Sequence, residues 1–236
     1  QTDILEISGN ESINDIFGIV ENNIIDCASF ISIEDHKAKL ISEGIDDYFN
    51  KLESEPLEQK GISTGFPLYD KCIGGGLRPG SVDVIGSRVK VGKSTICINF
   101  ALHIAKMNIP VLICDSEMSE TDFYDKPTSC LSKIPLEEVS TGKYSKFNHL
   151  KNKVHKAKEE VKSLPIFRQA IGGESIENQI ASIKRWIITE VGLTKEGRAN
   201  QSVIIYDYLK LMTNDINRNV QEYQILGFLM TTLVNF

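Results

Sequence analysis

The sequence predicts an α/β fold in which helices flank a mostly parallel central sheet. Two short runs, from Val111 to Cys114 and from Val203 to Tyr206, are apolar throughout, which is typical of strands buried on both faces. Helical patterns alternate with them, from Thr95 to Met107 and, with one apolar face, from Ser175 to Glu190. Strands that alternate with helices along a chain pair in parallel, because each helix crosses from one strand to the next.

Proline and glycine mark the boundaries of the other elements. Between Glu120 and Ser163 we expect several helices, broken at Pro127 and Pro135 because proline cannot donate a helical hydrogen bond. A polar loop, TKEGRANQ, precedes the last apolar strand. The remaining predicted elements are strands from Ser81 to Ile85 and from Pro165 to Arg168, and a helix from Gln221 to Phe236.

A smaller unit precedes this domain. We expect residues 1–60 to form an N-terminal segment with a linker helix. Residues 61–236 are then the main domain, which reads as incomplete at its C-terminal end and as part of a longer polypeptide. The linker helix is predicted from Ile33 to Glu53, with Ser32 as N-cap and Pro56 beyond its end. Its apolar positions share one helix face: Ile41, Ile45, Tyr48, Phe49 and Leu52. Such a stripe suits an intramolecular core and a contact with another molecule equally well.

Composition and charge exclude several classes of protein. Of the 236 residues, 41% are hydrophobic and 25% are charged, which is ordinary for a globular protein. No apolar run approaches the roughly 20 residues of a membrane-spanning helix, and QTDILEISGN lacks the basic start of a signal peptide. Five cysteines without a CxxC pair argue against a zinc site or a disulfide framework, so we expect a reducing cytoplasm. The net charge of −6 gives no support to nucleic-acid binding by the chain as a whole, although one basic loop would suffice.

The segment DVIGSRVKVGKST combines a predicted strand, a tight loop and a helix start in the manner of a phosphate-binding P-loop. It follows the template GxxxxGK[ST], except that Ser87 stands at the first glycine. Lys93 would reach the β and γ phosphates and the Ser94 hydroxyl would bind magnesium, while Gly92 lets the backbone approach phosphate closely. The sequence therefore predicts ATP or another nucleoside triphosphate, with Mg²⁺, as ligands. The predicted binding residues are Ser87, Arg88, Val89, Lys90, Val91, Gly92, Lys93, Ser94 and Thr95.

Carboxylates follow two of the apolar strands. Asp207 ends the run VIIYD, where a parallel sheet places its ligands, and would hold the magnesium shell there. A lone aspartate after a strand is, however, more often a turn residue. Asp115 and Glu117 follow the other strand, and either suits the general base that activates water. The same pair also fits a helix N-cap with an acid in the first turn, and the pattern alone does not choose between the two residues.

Further motifs surround the P-loop. Before it come Thr64-Gly65-Phe66, Tyr69-Asp70 and Gly75-Gly76-Leu77, and Arg88 lies inside it; after it come Ser116-Glu117-Met118, EVSTGKYS and IIYDYLKLM. In this order they resemble the motor domain of DnaB-type replicative helicases, of phage or bacterial type. The resemblance covers most of residues 61–236. It implies a RecA-like P-loop NTPase fold preceded by a helical linker.

The resemblance also implies a role for each matching residue. It assigns Lys93 to the phosphates, Ser94 and Asp207 to magnesium, and Glu117 to water activation, so that Glu117 and Lys93 are the catalytic candidates. The loop after Met212 corresponds to a region that faces single-stranded DNA in this family. Asn217 and Arg218 are the candidates in it, although an arginine in a polar loop is usually only solvated. The family's glutamine sensor and arginine finger are absent from these residues, and the finger comes from a neighbouring subunit.

The implied function is that of a hexameric DNA helicase, which couples nucleoside triphosphate hydrolysis to translocation on single-stranded DNA and to duplex unwinding. The implied partners are single-stranded DNA, further copies of the chain with the linker helix docked on a neighbour, and a primase or helicase loader, but no membrane. The implied location is the cytoplasm, or the host cytoplasm for a phage protein. Two alternatives stay open at this point. One is another RecA-like ATPase such as a filament-forming recombinase, and the other is a non-hydrolysing nucleotide-binding scaffold.

Overall fold

A computed structural model describes residues 40–42, 44–56, 60–88, 90–195 and 197–207. Its centre is a three-stranded parallel sheet in the order β2-β1-β3. The strands are β1 (Val111–Asp115), β2 (Ile166–Ala170) and β3 (Val203–Asp207). Asp115 lies opposite Ala170 on one side and opposite Asp207 on the other, so the carboxyl ends of all three strands meet at one edge. The predicted α/β class is confirmed.

The chain also contains helices, two of which pack on opposite faces of the sheet. In the described ranges they are α1 (Ile45–Ser54), α2 (Pro67–Cys72), α3 (Lys93–Lys106), α4 (Glu120–Ser132), α5 (Leu136–Ser140), α6 (Asn148–Ser163) and α7 (Ile176–Trp186). A 3₁₀ turn covers Lys143–Lys146, and a π turn, Ile187–Val191, extends α7. None of these helices is long and apolar enough to cross a membrane.

Every residue of β1 is buried, because the strand has a hydrophobic cluster on each face. Val111 and Ile113 belong to the cluster formed with α3, whereas Leu112 and Cys114 belong to the one formed with α7. Successive side chains of a strand point to opposite faces, so a strand covered on both sides must be apolar at every position. This arrangement explains the continuous apolar run that the sequence shows.

The predicted strand from Ser81 to Ile85 is wrong. Residues 81–88 form no regular element, and none of the described strands pairs with them. Val82 and Val84 are 37% and 71% exposed, so their alternation with Asp83 marks no buried face. Ile85 alone packs against the core cluster on α3. Without a hydrogen-bonded ladder or a covered face, an extended segment lacks both interactions that stabilise a strand.

The predicted helix break at Pro127 is also wrong, since α4 continues through this residue. A proline inside a helix costs about 3 kcal/mol, because it lacks the N–H group and its ring crowds the preceding turn. Pro127 is buried, and α4 packs against α6, so tertiary contacts offset that cost. Pro135 does separate two helices: it is the N-cap of α5, a position that needs no intrahelical N–H bond.

Within the described residues, the helix predicted from Ile33 to Glu53 is represented by α1, which runs from Ile45 to Ser54. Its N-cap is Gly44, whose φ of 87° is left-handed and interrupts any helix that enters from the N-terminal side. Ile41 lies in a turn before it and is 90% exposed. None of the α1 residues is buried, and Tyr48 and Phe49 are about half exposed. The predicted start at Ile33 and the Ser32 cap lie outside the described residues.

The segment Gly61–Leu77, here called the collar, packs on α3 ahead of the P-loop. Its two ends are joined by an antiparallel bridge in which Ile62 and Leu77 exchange backbone hydrogen bonds of 2.8 Å each. The buried carboxylate of Asp70 holds its centre, accepting hydrogen bonds from the N–H (3.0 Å) and hydroxyl (2.6 Å) of Thr64 and the hydroxyl of Ser63 (2.8 Å). Burial alone would raise the pKa of Asp70, but these hydrogen bonds outweigh it and hold the pKa below its ordinary value.

Candidate nucleotide site

The P-loop ends at the first turn of α3, and the start of this helix is suited to an anion. Gly92, the N-cap, has a φ of 101°, and no side chain caps the helix. Its first turn contains no acidic residue and instead begins with Lys93. A helix N-terminus carries partial positive charge and unpaired N–H groups, so a cation here is unfavourable until a negative group binds. Phosphate groups satisfy both requirements.

Lys93 is held beside the carboxyl edge of the sheet by Asp207. Its Nζ lies 3.0 Å from Asp207 Oδ1, and the Asp207 side chain is only 5% exposed whereas that of Lys93 is 29% exposed. The buried carboxylate requires a nearby cation. The structure thus brings together two residues that are 114 positions apart in the sequence and were predicted separately from the P-loop and the last strand.

The other predicted binding residues surround this pair. Ser94 is half-buried in the first helical turn, and Thr95 next to it is exposed. Lys90 adopts a left-handed φ of 63°, and Val91 is 70% exposed. Ser87 and Arg88 are exposed at the start of the loop, whereas Val89, Asn217 and Arg218 lie outside the described residues.

Asp115 and Glu117, which the sequence pattern left as alternatives, have different environments. Asp115 is 2% exposed, and its Oδ1 accepts hydrogen bonds from the N–H groups of Glu117 (3.0 Å) and Met118 (2.9 Å). Asp115 therefore caps the turn that follows β1 rather than a helix, because the N-cap of α4 is Ser119. The Glu117 side chain is exposed in the turn that follows β1. The N–H of Ser116 donates to the Asp207 carbonyl (3.2 Å), which fixes this turn to the end of β3.

Arg168, on β2, was missed by the sequence analysis as a site residue. Its Nη2 donates to Asp115 Oδ2 (3.1 Å) and to the Met118 carbonyl (2.6 Å), and its guanidinium lies 5.6 Å from the Phe123 ring centre. One signal was available: an arginine that follows the otherwise apolar run PIF needs a buried partner. The identity of that partner depends on strand order, which a single sequence does not contain.

The thiol of Cys97, one turn after Lys93, responds to the charges of the site. Burial raises the pKa of Cys97 to about 11, the Asp207 charge adds to this effect, and Lys93 acts in the opposite direction.

A hydrogen bond also supports the end of β3: the Tyr206 hydroxyl donates to the side-chain oxygen of Gln179, which is 2% exposed. Burial raises the pKa of Tyr206 well above its ordinary value, so the hydroxyl remains a donor.

The parallel sheet, the loop that leads into α3 and the Lys93–Asp207 pair at the carboxyl edge are the arrangement of a P-loop NTPase fold. The chain belongs to the DnaB-like helicase C-terminal domain family, whose model matches residues 61–229. This membership confirms the resemblance carried by the motifs around the P-loop.

Two curated relatives illustrate the match. The chain is 22% identical over 229 residues to the replicative DNA helicase DnaB of Leifsonia xyli, covering 97% of this chain and 43% of that protein. It is 28% identical over 169 residues to the replicative DNA helicase DnaB of Mycoplasma genitalium, covering 69% of this chain and 33% of that protein. The chain thus spans less than half the length of these relatives.

Solved structures share the fold. One of them, described as an ATPase domain, has a TM-score of 0.66 at 16% identity, with 84% of this chain and 67% of that chain covered. A DnaB-like replicative helicase, described together with its interactions with primase, has a TM-score of 0.60 at 17% identity, with 92% of this chain and 50% of that chain covered. Likeness at this identity establishes the RecA-like architecture.

Proposed function

We propose that this chain is the motor of a ring-forming replicative DNA helicase, which couples hydrolysis of ATP or another nucleoside triphosphate to movement on single-stranded DNA and to duplex unwinding. The observation that carries the proposal is the 3.0 Å contact between Lys93 Nζ and Asp207 Oδ1 at an uncapped helix start, in a chain of the DnaB-like family. The family match favours a helicase over a recombinase or a non-hydrolysing scaffold.

The residues at the sheet edge fit a magnesium–nucleotide complex. Backbone N–H groups at the start of α3 and the ammonium of Lys93 would bind the phosphates. Asp207 and the Ser94 hydroxyl offer the hard oxygen ligands that Mg²⁺ prefers. Among the described residues no group of three or more His, Cys, Asp or Glu side chains is arranged to hold a metal alone. Bound Mg²⁺, with phosphate oxygens and water as its remaining ligands, would neutralise charge that develops on the phosphates.

Glu117 is proposed as the residue that orients and deprotonates the attacking water. Its carboxylate is exposed beside the strand end that carries Asp207, while the neighbouring Asp115 has both oxygens engaged in hydrogen bonds. A general base must keep its carboxylate available to substrate. This difference in availability supports Glu117 over Asp115.

The test of this role is Glu117→Gln, assayed for nucleotide hydrolysis with single-stranded DNA present. Loss of a general base lowers turnover by about 10²- to 10⁴-fold, while nucleotide binding, measured by equilibrium titration, should be retained. Glu120→Gln is the matched control, because Glu120 is an exposed glutamate three positions along whose Oε1 accepts from the Tyr124 hydroxyl. Unchanged hydrolysis in Glu117→Gln would remove Glu117 from the mechanism.

The organisation of the assembled protein is also a proposal. We propose residues 1–60 as N-terminal segment and linker, residues 61–236 as the motor, a hexameric ring, a cytoplasmic location, and a primase or helicase loader as partner. The half-exposed Tyr48 and Phe49 on α1 support docking of the linker on a neighbouring copy. The arginine finger would come from that neighbour, and the loop with Asn217 and Arg218 would face DNA.

Two measurements test the helicase proposal directly. Single-stranded DNA should accelerate hydrolysis, and the assembled protein should displace a strand from a forked duplex in a nucleotide-dependent way. Electron microscopy should show closed rings, whereas open filaments on DNA would favour a recombinase. A hydrolysis rate that is indifferent to DNA, together with no unwinding, would contradict the proposed function.

A further inference from the structure

We infer that Arg168 is a positioning residue for Glu117, acting through Asp115. This inference rests on the proposed role of Glu117 in water activation. Arg168 lies on β2, on the opposite side of β1 from the P-loop partner Asp207. Its effect on the reaction is therefore transmitted through the turn that follows β1.

The two oxygens of the Asp115 carboxylate have different hydrogen-bond partners. Oδ1 accepts the N–H groups of Glu117 and Met118, at 3.0 and 2.9 Å, and sets the shape of the turn. Oδ2 faces Arg168 Nη2 at 3.1 Å. The same Nη2 donates to the Met118 carbonyl at 2.6 Å, so one nitrogen joins the carboxylate to the far end of the turn. Glu117 is thereby fixed by backbone bonds on both sides of its Cα.

Burial makes the arginine necessary. The Asp115 side chain is 1% exposed, and a carboxylate that is removed from water requires a cation and complete hydrogen bonding. Of the described basic side chains, only Arg168 forms an ion pair with Asp115. Without it, the buried charge would be uncompensated, and the carboxylate would have to move toward water. That movement would release the N–H groups that hold Glu117.

Arg168 is placed to act through the turn rather than on the nucleotide. Its side chain is 20% exposed, its Nη2 is engaged by Asp115 and Met118, and its guanidinium rests near the Phe123 ring. The second fixed point of the turn lies on β3, where the Asp207 carbonyl accepts from Ser116 N–H at 3.2 Å. The turn therefore links Arg168 on one side to the metal-binding candidate Asp207 on the other.

The experiment is a double-mutant cycle between Arg168→Gln and Glu117→Gln in the assembled protein with single-stranded DNA. For Arg168→Gln we expect kcat to fall by about 10- to 100-fold, the usual effect of losing a supporting residue. The KM for nucleotide and the Kd of a fluorescent nucleotide analogue should stay within about threefold, because a ground-state contact is not removed. Arg168→Lys should recover part of kcat, since an ammonium can still donate to Asp115 and Met118.

The double variant tests whether Arg168 affects the reaction through Glu117. If Arg168 acts through Glu117, Arg168→Gln adds less than about twofold to the loss caused by Glu117→Gln. The inference would be overturned if the fall in kcat of the double variant equalled the product of the falls in the two single variants. It would also be overturned if KM and Kd of Arg168→Gln rose as much as its kcat fell. Arg78→Gln is the matched control, because Arg78 also donates to a backbone carbonyl, that of Gly74 (3.0 Å), but lies just beyond the collar.

The two proposals fail in distinguishable ways. Normal hydrolysis in Glu117→Gln overturns the role of Glu117, whereas normal kcat in Arg168→Gln combined with an inactive Glu117→Gln overturns only the role of Arg168. Circular dichroism melting of each variant checks the fold. Should Arg168→Gln fail to fold, Arg168→Lys replaces it in the cycle, and a loss that multiplies with Glu117→Gln again contradicts the inference.

Discussion

The collar and the P-loop are neighbours in sequence and both adjoin α3, yet they are stabilised in opposite ways. In the collar the polar groups pair internally, with three side-chain and backbone donors directed at the buried Asp70 carboxylate. In the P-loop Val91 is 70% exposed, Lys90 and Gly92 have positive φ, and α3 starts without a side-chain cap. The polar groups of the collar thus find their hydrogen-bond partners within the collar. The P-loop instead presents the N–H groups of a helix start to an anion.

The family motifs around the P-loop therefore contain two kinds of residue, those that stabilise the fold and those that bind ligand in the proposed mechanism. Motif residues such as Thr64 and Asp70 hold the fold that supports α3, whereas Lys93 and its loop bind ligand in the proposed mechanism. Substitutions in the collar should therefore lower the free energy of unfolding and leave the activity of folded molecules unchanged. Substitutions in the P-loop should lower activity by far more than any loss of stability explains.

Lys93→Met is expected to have the largest effect. Removing one preorganised donor to a charge that develops in the transition state costs about 10²- to 10³-fold in turnover, and nucleotide affinity should fall as well. Stability without nucleotide should fall by only about 1–3 kcal/mol, because the buried Asp207 loses its partner at 3.0 Å. Steady-state hydrolysis and urea unfolding measure the two effects on the same samples.

The control for Lys93→Met lies at the other end of the same helix. Lys106 pairs with Glu160 at 2.8 Å, but the two side chains are 46% and 38% exposed. Exposed ion pairs contribute about 0–1 kcal/mol, so Lys106→Met should change neither hydrolysis nor stability appreciably. Hydrolysis by Lys93→Met within about tenfold of the original protein would mean that the loop does not bind the reacting phosphates.

The sequence was most informative where local pattern and burial agree. The strands β1 and β3 and the N-cap of α7 at Ser175 were predictable, because each depends on a few neighbouring residues. Burial on both faces is confirmed for β1 but not for β3, where Val203 to Tyr206 are half-buried. The strand predicted from Ser81 to Ile85 was wrong because bounding proline and glycine residues supply neither a pairing partner nor a covered face. The helix break predicted at Pro127 was wrong because α6, which is distant in sequence, packs on α4 and stabilises it through this residue.

At the site, too, local pattern predicted single residues but not the contacts between them. Lys93 and Asp207 were predictable because each carries its own local motif, even though their 3.0 Å contact was not. The pair of Asp115 and Arg168 depends on β2 lying beside β1, which local pattern does not contain. The sequence pattern also left Asp115 and Glu117 as equal alternatives, and the burial of Asp115 supports the proposal that Glu117 is the base.

Asp70→Asn should have the next largest effect, on stability rather than on activity. The amide retains the shape of the carboxylate but loses charge-assisted hydrogen bonds, so at pH 7 the free energy of unfolding should fall by about 1.5–3 kcal/mol. The turnover of the folded variant should stay within about twofold of the original, because the collar does not contact the reacting groups in the proposed mechanism. Chemical denaturation and hydrolysis assays on the same preparation test both statements.

The pH dependence of this variant gives a second check. The pKa of Asp70 is lowered in the folded protein from an ordinary value of 3.8, so its charge stabilises the fold above that pH. This stabilisation is lost as the pH falls through the lower, folded-state pKa. The difference between Asp70→Asn and the original protein should therefore shrink below about pH 4. Asp83→Asn, at an exposed position nearby, should show no such difference. An equal destabilisation at acidic and neutral pH would contradict a charged Asp70.

The smallest expected effect concerns Cys97, whose thiol reports on the Lys93–Asp207 pair. Because burial and then the Asp207 charge raise its pKa to about 11, little thiolate exists near neutral pH. Iodoacetamide should modify Cys97 about a hundredfold more slowly than the exposed Cys72. Peptide mass spectrometry over a time course measures both rates in one sample.

Substitutions at the pair should move this rate in opposite directions. Asp207→Asn removes a negative charge that raises the Cys97 pKa, so modification should become severalfold faster, with burial limiting the gain because it is the larger cause. Lys93→Met removes the charge that lowers this pKa, so modification should become slower. Cys114, whose pKa is raised to about 12 by burial and then by Glu174, serves as the internal control and should not respond. If Cys97 and Cys114 respond alike to Asp207→Asn, the change is a general loosening of the domain. A response confined to Cys97 would show that its thiol lies beside Asp207 and Lys93 in solution.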